Sequence, residues 1–180
     1  MNADTMITLE PLELPRDLAL VHRWVTHPKA IFWMMQDASL EDVATAYGMV
    51  LEHPHHDAWL GRAGGQPAFL AETYDPSRSE AVGLAGLPEL REGDLGIHLL
   101  VAPTDQPVSG FTRQVFRTVL DHCFADPAVR RVVVEPDVRN HKIAILNKEL
   151  GFVVERVVSL PCKDAALSFC TRAAYLAARP

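Results

Sequence analysis

The run Arg131-Val132-Val133-Val134-Glu135 constrains this chain more than any other segment. Successive β-branched residues send apolar side chains to both faces of a strand, and such a strand is stable only when both faces are covered. The flanking segments can supply that cover. Residues 110–124 place Val115, Phe116, Val119, Leu120 and Cys123 on one helical face. Residues 140–150 place Ile143, Leu146 and Leu150 on another, with Gly151 where a helix-ending glycine belongs. Ahead of them, residues 95–102 read as a further strand, followed by a proline-containing loop, 103–109. Strand, loop, helix and strand make a β-loop-α-β unit, and such units hold ligand phosphates at the helix N-terminus.

The first half of the chain fits the same α/β class. Residues 6–12 alternate as a strand, and Pro15 sets up a helix from Asp17 to about Thr26, closed before Pro28. Ser39 and Asp42 make a capping pattern for a helix that carries Val43, Ala46, Tyr47, Val50 and Leu51 up to Pro54. Strands are predicted at 58–63, 68–74 and 81–88, the first two joined by the turn Gly64-Gly65-Gln66-Pro67. Two closing strands are predicted at 152–160 and 165–175. There is no internal repeat, linker or low-complexity tract, so a single α/β domain is expected over residues 1–180.

Charge and length exclude several function classes. With 17 Lys and Arg against 23 Asp and Glu, the net charge is −6, and a broad basic surface for nucleic acid or an anionic membrane is not expected. The longest stretch free of those four residue types, 95–104, is far shorter than the roughly 18 residues a membrane span needs. Residues 1–12 carry Asp4 and Glu10 without a basic leader or apolar core, so no secretory signal is expected and the cytoplasm is the default compartment. Cys123, Cys162 and Cys170 are odd in number and lack metal-type spacing, which fits reduced thiols. His53, His55 and His56 read as a solvated loop rather than a metal site, because no carboxylate or thiol spacing supports them and Pro54 breaks any helical face.

Few residues stand out as chemical. Alternation puts Gly96, His98, Leu100 and Ala102 on one face of the 95–102 strand, and His98 is the only titratable group inside it. It is either a hydrogen-bonded core histidine or a proton acceptor. Asp137 lies just beyond the 131–135 strand, in Pro136-Asp137-Val138-Arg139-Asn140, and has equally good turn chemistry. Trp24, Phe32 and Trp33 cluster near the first helix, where packing is the ordinary reading for Trp24 and a ligand-facing role suits Phe32 and Trp33.

The element order, with Asn140-x-x-Ile143-Ala144-x-Leu146-x-x-x-Leu150-Gly151-Phe152, resembles the GCN5-related N-acetyltransferases (GNAT). His22-Arg23-Trp24, Pro28, Phe32-Trp33, Gly96-Ile97-His98 and Glu135-Pro136-Asp137-Val138-Arg139-Asn140 together resemble the siderophore-biosynthesis branch. The likeness covers about residues 9–175. It implies a mixed, mostly antiparallel central sheet flanked by helices, with the β-loop-α-β unit binding acyl-CoA. It also implies transfer of an acetyl or other acyl group to a small acceptor: lysine, or N-hydroxylated lysine, ornithine or cadaverine. His98 and Asp137 are the implied acid/base pair, with no metal. Leu99, Leu100 and Val101 would pair with the pantetheine arm. Gln106, Ser109, Gly110, Phe111, Thr112 and Arg113 would face the pyrophosphate, Asn140 and Asn147 would contact the donor, and Trp24, Phe32 and Trp33 would wall the acceptor.

Two departures from the family pattern matter. The phosphate loop keeps one glycine, and Pro107 has no N–H to offer an anion. Asn147 stands where many members carry a tyrosine that protonates the leaving thiolate, and an amide is a poor acid. At this level three alternatives stay open: a siderophore precursor as acceptor; another amine, such as a protein N-terminus or an antibiotic; or a non-catalytic acyl-CoA-binding module.

Overall fold

Seven strands form one mixed, mostly antiparallel sheet in the order β1-β2-β3-β4-β5-β7-β6, flanked by helices, in a computed structural model that describes residues 6–79 and 82–179. The chain divides into two compact units, residues 1–72 with 98–119, and residues 73–97 with 120–180.

The first unit contains β1 (Ile7–Pro11), α1 (Leu18–Val25), a 3-10 helix (Pro28–Trp33), α2 (Leu40–Glu52) and β2 (His56–Ala63). It also holds β3 (Gln66–Tyr74) as far as Glu72, β4 (Asp94–Val101) from His98, and the first turns of α3 (Phe111–Ala125). β1 pairs antiparallel with β2 from Ile7 opposite Ala63 to Pro11 opposite Trp59. The Asp17 side chain ahead of α1 accepts from the Glu13 N–H and pairs with the Arg16 guanidinium. Ser39 and Asp42 form the expected capping box, each side chain satisfying the other's backbone N–H at the start of α2. The 3-10 helix was not foreseen. Pro28 opens it, the His27 ring accepts from the Lys29 N–H, and Met34 closes it at φ 61. The core joins Val21, Trp24 and Val25 of α1 to Val43 and Tyr47 of α2 and to Ala58, Leu60 and Leu70 of the sheet. Truncating one of these fully buried leucines to alanine would cost about 2–5 kcal/mol.

The second unit holds the rest of β3 and β4, β5 (Arg131–Val134), α4 (His141–Glu149), β6 (Val153–Leu160), β7 (Lys163–Thr171) and α5 (Arg172–Ala177). β5 is buried along Val132, Val133 and Val134, as its composition requires. It pairs antiparallel with β7, from Arg131 opposite Thr171 to Val134 opposite Ser168. It pairs parallel with β4 from Asp94 opposite Arg131 to Gly96 opposite Val133. Arg131 is fixed by two 2.7 Å bonds to Asp94 and one to the Glu89 carbonyl. Gly96 is required by packing, because a Cβ there would lie 2.1 Å from the Tyr74 ring.

Two predicted strands are corrected. Residues 82–88 form turns rather than a strand, and residues 80 and 81 lie outside the described part. Gly83 and Gly86 sit at φ +80 and +86, which interrupts any extended run, while Leu84 between them is fully buried. The last strand ends at Thr171 rather than Tyr175, because the Thr171 side chain accepts from the Ala174 N–H and starts α5.

Candidate active site

Period-two alternation along three strands builds the site in the first unit. Ala58 and Leu60 of β2, Leu70 of β3 and Leu100 of β4 pack in or against that unit's core. One step of alternation along each strand therefore puts His56, Glu72 and His98 on the same face. The apolar layer gives way there to three ionisable side chains. His98 Nδ1 lies 2.9 Å from Glu72 Oε2, and His56 Nε2 lies 3.5 Å from the same oxygen. Glu72 and His56 are buried, whereas the His98 side chain keeps 28% of its surface. The Trp33 ring meets His98 edge-on, with centroids 6.1 Å apart.

The electrostatics fix the charge of the carboxylate at the centre of this cluster. Burial on its own would raise the Glu72 carboxyl, but the adjacent His56 imidazole, the hydrogen bond from His98 and the charge of the two rings hold it down to about 2. Glu72 is thus an anion that can only accept, so the nitrogen facing it, His98 Nδ1, carries the hydrogen. Neutral His98 then has its lone pair on Nε2, the tautomer needed by a base. Tyr47 of α2 is pushed well above its ordinary value, by burial first and the Glu72 charge second, and stays a neutral phenol.

Other expected site residues take the following places. Phe32 is exposed, and Trp33 beside it is the aromatic that reaches His98. Trp24 is buried in the core, so packing is its role here. Lys29 ties the 3-10 helix to the loop after β4, reaching the Thr104 carbonyl at 2.6 Å and Asp105 at 2.8 Å. Beyond it Gln106, Ser109, Gly110, Thr112 and Arg113 are exposed around the start of α3, with Phe111 half-buried. Gly110, at the N-terminus of α3, has φ +77 and open space on its Cβ side. Leu99, Leu100 and Val101 complete β4, half-buried.

The second unit places Asp137, Asn140 and Asn147. Both Asp137 oxygens receive the Arg139 guanidinium, and the Arg139 N–H adds a third bond at 2.8 Å. These bonds, led by the guanidinium, lower Asp137 to about 2. The carboxylate that meets His98 Nδ1 within the first unit is Glu72, and the Asp137 carboxylate is bound by Arg139 of its own loop. Asn140 caps α4, accepting from the Ile143 N–H at 3.3 Å. Asn147 is an inward-facing residue of α4. It is buried, its Oδ1 has no hydrogen-bond partner among the described residues, and it lines a cavity of about 450 Å³ with Pro136, Ala144, Phe152 and Ser168.

Sequence reading missed Glu72 and misplaced His56, which is a buried strand residue and not part of a solvated loop. The usable signal was alternation: Glu72 shares parity with Ala68 and Leu70, and His56 with Ala58 and Leu60.

Residues 13–160 match the family model described as "Acetyltransferase (GNAT) domain". The chain belongs to the GNAT acetyltransferase family. It is accordingly an N-acyltransferase using an acyl-CoA donor, and the reading as a non-catalytic module is set aside. It is 26% identical to an N-hydroxyputrescine acetyltransferase of Acinetobacter baumannii, over 93% of this chain and 79% of that protein. It is 24% identical to a type 1 aminoglycoside N(6')-acetyltransferase of Klebsiella pneumoniae, over 97% of this chain and 87% of that one. Its fold matches the structure of AAC(6')-Ib in complex with ribostamycin and coenzyme A at TM-score 0.83, with 23% identity, over 97% of this chain and 98% of that one. No helix among the described residues is long and apolar enough to cross a membrane.

Proposed function

We propose that this GNAT enzyme acylates the amine or hydroxylamine of a small diamine-type siderophore precursor, with His98 as proton acceptor and Glu72 as the group that orients it. The observation that carries this reading is the 2.9 Å contact between His98 Nδ1 and the ionised Glu72, with the Trp33 ring edge-on to the imidazole. The acceptor class is supported by the similarity to N-hydroxyputrescine acetyltransferase over most of the chain.

The donor supplies the acyl group of its thioester. The chain's own groups suited to hold it are the Gly110 and Thr112 backbone N–H groups at the start of α3 for phosphates and the β4 backbone at Leu99 to Val101 for the pantetheine amides. Gln106, Ser109 and Arg113 add donors at the same end of α3. In the transfer, the acceptor nitrogen forms a bond to the acyl carbon and the carbon–sulfur bond breaks. The nitrogen loses a proton to His98 Nε2, and the imidazolium returns that proton, directly or through water, to the departing thiolate, so charge and protons balance. Glu72 stabilises the imidazolium formed meanwhile. Asn147 serves as a hydrogen-bonding amide rather than as the acid.

A second reading, an aminoglycoside amine as acceptor, is favoured by the 24% identity over 97% of the chain to an aminoglycoside acetyltransferase. Steady-state release of free thiol from acetyl-CoA, with putrescine, cadaverine, lysine, ornithine, their N-hydroxy forms, and kanamycin as acceptors, separates the two. The diamine-type reading expects the highest kcat/KM among the N-hydroxylated amines. Turnover confined to kanamycin would overturn it.

A further inference from the structure

The proton acceptor assigned above shares its carboxylate with a second imidazole. Glu72 sits between His56 of β2 and His98 of β4, and both rings address the same oxygen, Oε2, at 3.5 and 2.9 Å. The other groups around this triad are Tyr47 from α2, which stays a neutral phenol, Trp33 from the 3-10 helix, and the His53 ring, 6.4 Å from that of His56. His56 is buried and too far back to be the group that meets an acceptor, whereas His98 keeps part of its surface.

We propose that His56 is a positioning residue for His98, acting through the carboxylate oxygen the two imidazoles share. Any hydrogen bond that His56 donates to Oε2 withdraws negative charge from the partner of His98. Any proton that His56 takes up places a second cation across the same anion. Both effects disfavour the imidazolium form of His98, so they act with one sign. The result is a base that stays unprotonated, and therefore able to accept a proton, to lower pH than a histidine holding an ionised carboxylate alone. This inference rests on the assignment of His98 as the base for its catalytic meaning, but not for its measurement.

The test is a ¹⁵N-resolved titration of the histidine side chains in the ligand-free enzyme. Replacing His56 by Leu or by Phe should move the His98 midpoint upward by about half to one pH unit, and His56→Gln, which keeps a donor, should restore part of the difference. In a Glu72→Gln background the same substitutions should leave the midpoint unmoved. A midpoint unchanged or lowered in the His56→Leu and His56→Phe variants would overturn the proposal. If His98→Ala retained normal turnover while this coupling was present, the catalytic assignment would fail and the coupling would stand. In the active variants, the acid limb of kcat/KM should move upward with the midpoint.

Discussion

Glu72 is a buried acid held ionised by two histidines, and such a group has a defined pH signature. Its carboxyl is lowered from 4.5 to about 2, so the stabilisation it contributes is fully present above 4.5 and is lost as the pH falls toward 2. Glu72→Gln removes the charge but keeps the shape. The variant should be less stable than the parent near neutrality, and its urea midpoint should fall less steeply between pH 4.5 and 2. Asp137 is lowered to about 2 as well, by Arg139, so the difference between the two proteins, not either profile alone, isolates Glu72. The same substitution should reduce kcat by at least about 10-fold, since an orienting carboxylate is lost while the base remains. Parallel acid profiles for parent and variant would show that Glu72 is not the ionised centre of the cluster.

At the scale of elements, α4 ends where its sequence says it should. Gly151 follows the helix at φ +92, and a Cβ there would lie 2.8 Å from the Ala174 carbonyl oxygen. Gly151→Ala should therefore lower unfolding stability by about 1–2 kcal/mol, with the strained conformation and the clash adding, and chemical denaturation would measure it. A loss below a few tenths of a kcal/mol would mean that the α5 segment yields. The sequence made such elements legible wherever local chemistry and tertiary need agreed: the Ser39–Asp42 box, the apolar face of α3 and the doubly covered β5. It misled where a tertiary demand overrode periodicity. The apolar run at 81–88 alternates well enough for a strand, but its glycines turn it, and Leu84 is buried without a ladder. His98 was legible as the lone titratable group in an apolar strand. For its partner, alternation marks the face of β3 that carries Glu72, but the two are distant in sequence and only the pairing of sheet neighbours brings them together.

For the molecule as a catalyst, the decisive question is how much of the acceleration depends on proton acceptance, and the acceptor itself can be used to measure it. An alkylamine is protonated near neutrality and must surrender a proton before or during attack. N-hydroxylation makes the nitrogen less basic, so a hydroxylamine arrives mostly neutral. His98→Ala should lower kcat by roughly 10²- to 10⁴-fold with an amine such as cadaverine, the usual worth of a positioned base. With the N-hydroxy form of the same amine the loss should be distinctly smaller, because less of the barrier lies in removing the proton. The KM for acyl-CoA should change little in either case, since phosphate recognition is assigned to the start of α3 and not to the imidazole. Raising the pH should narrow the gap for the amine and leave the hydroxylamine nearly unaffected, as solvent takes over the deprotonation proposed for His98. Equal losses for both acceptors at every pH would mean that His98 acts chiefly by holding the acceptor in place, and that proton acceptance belongs to another group.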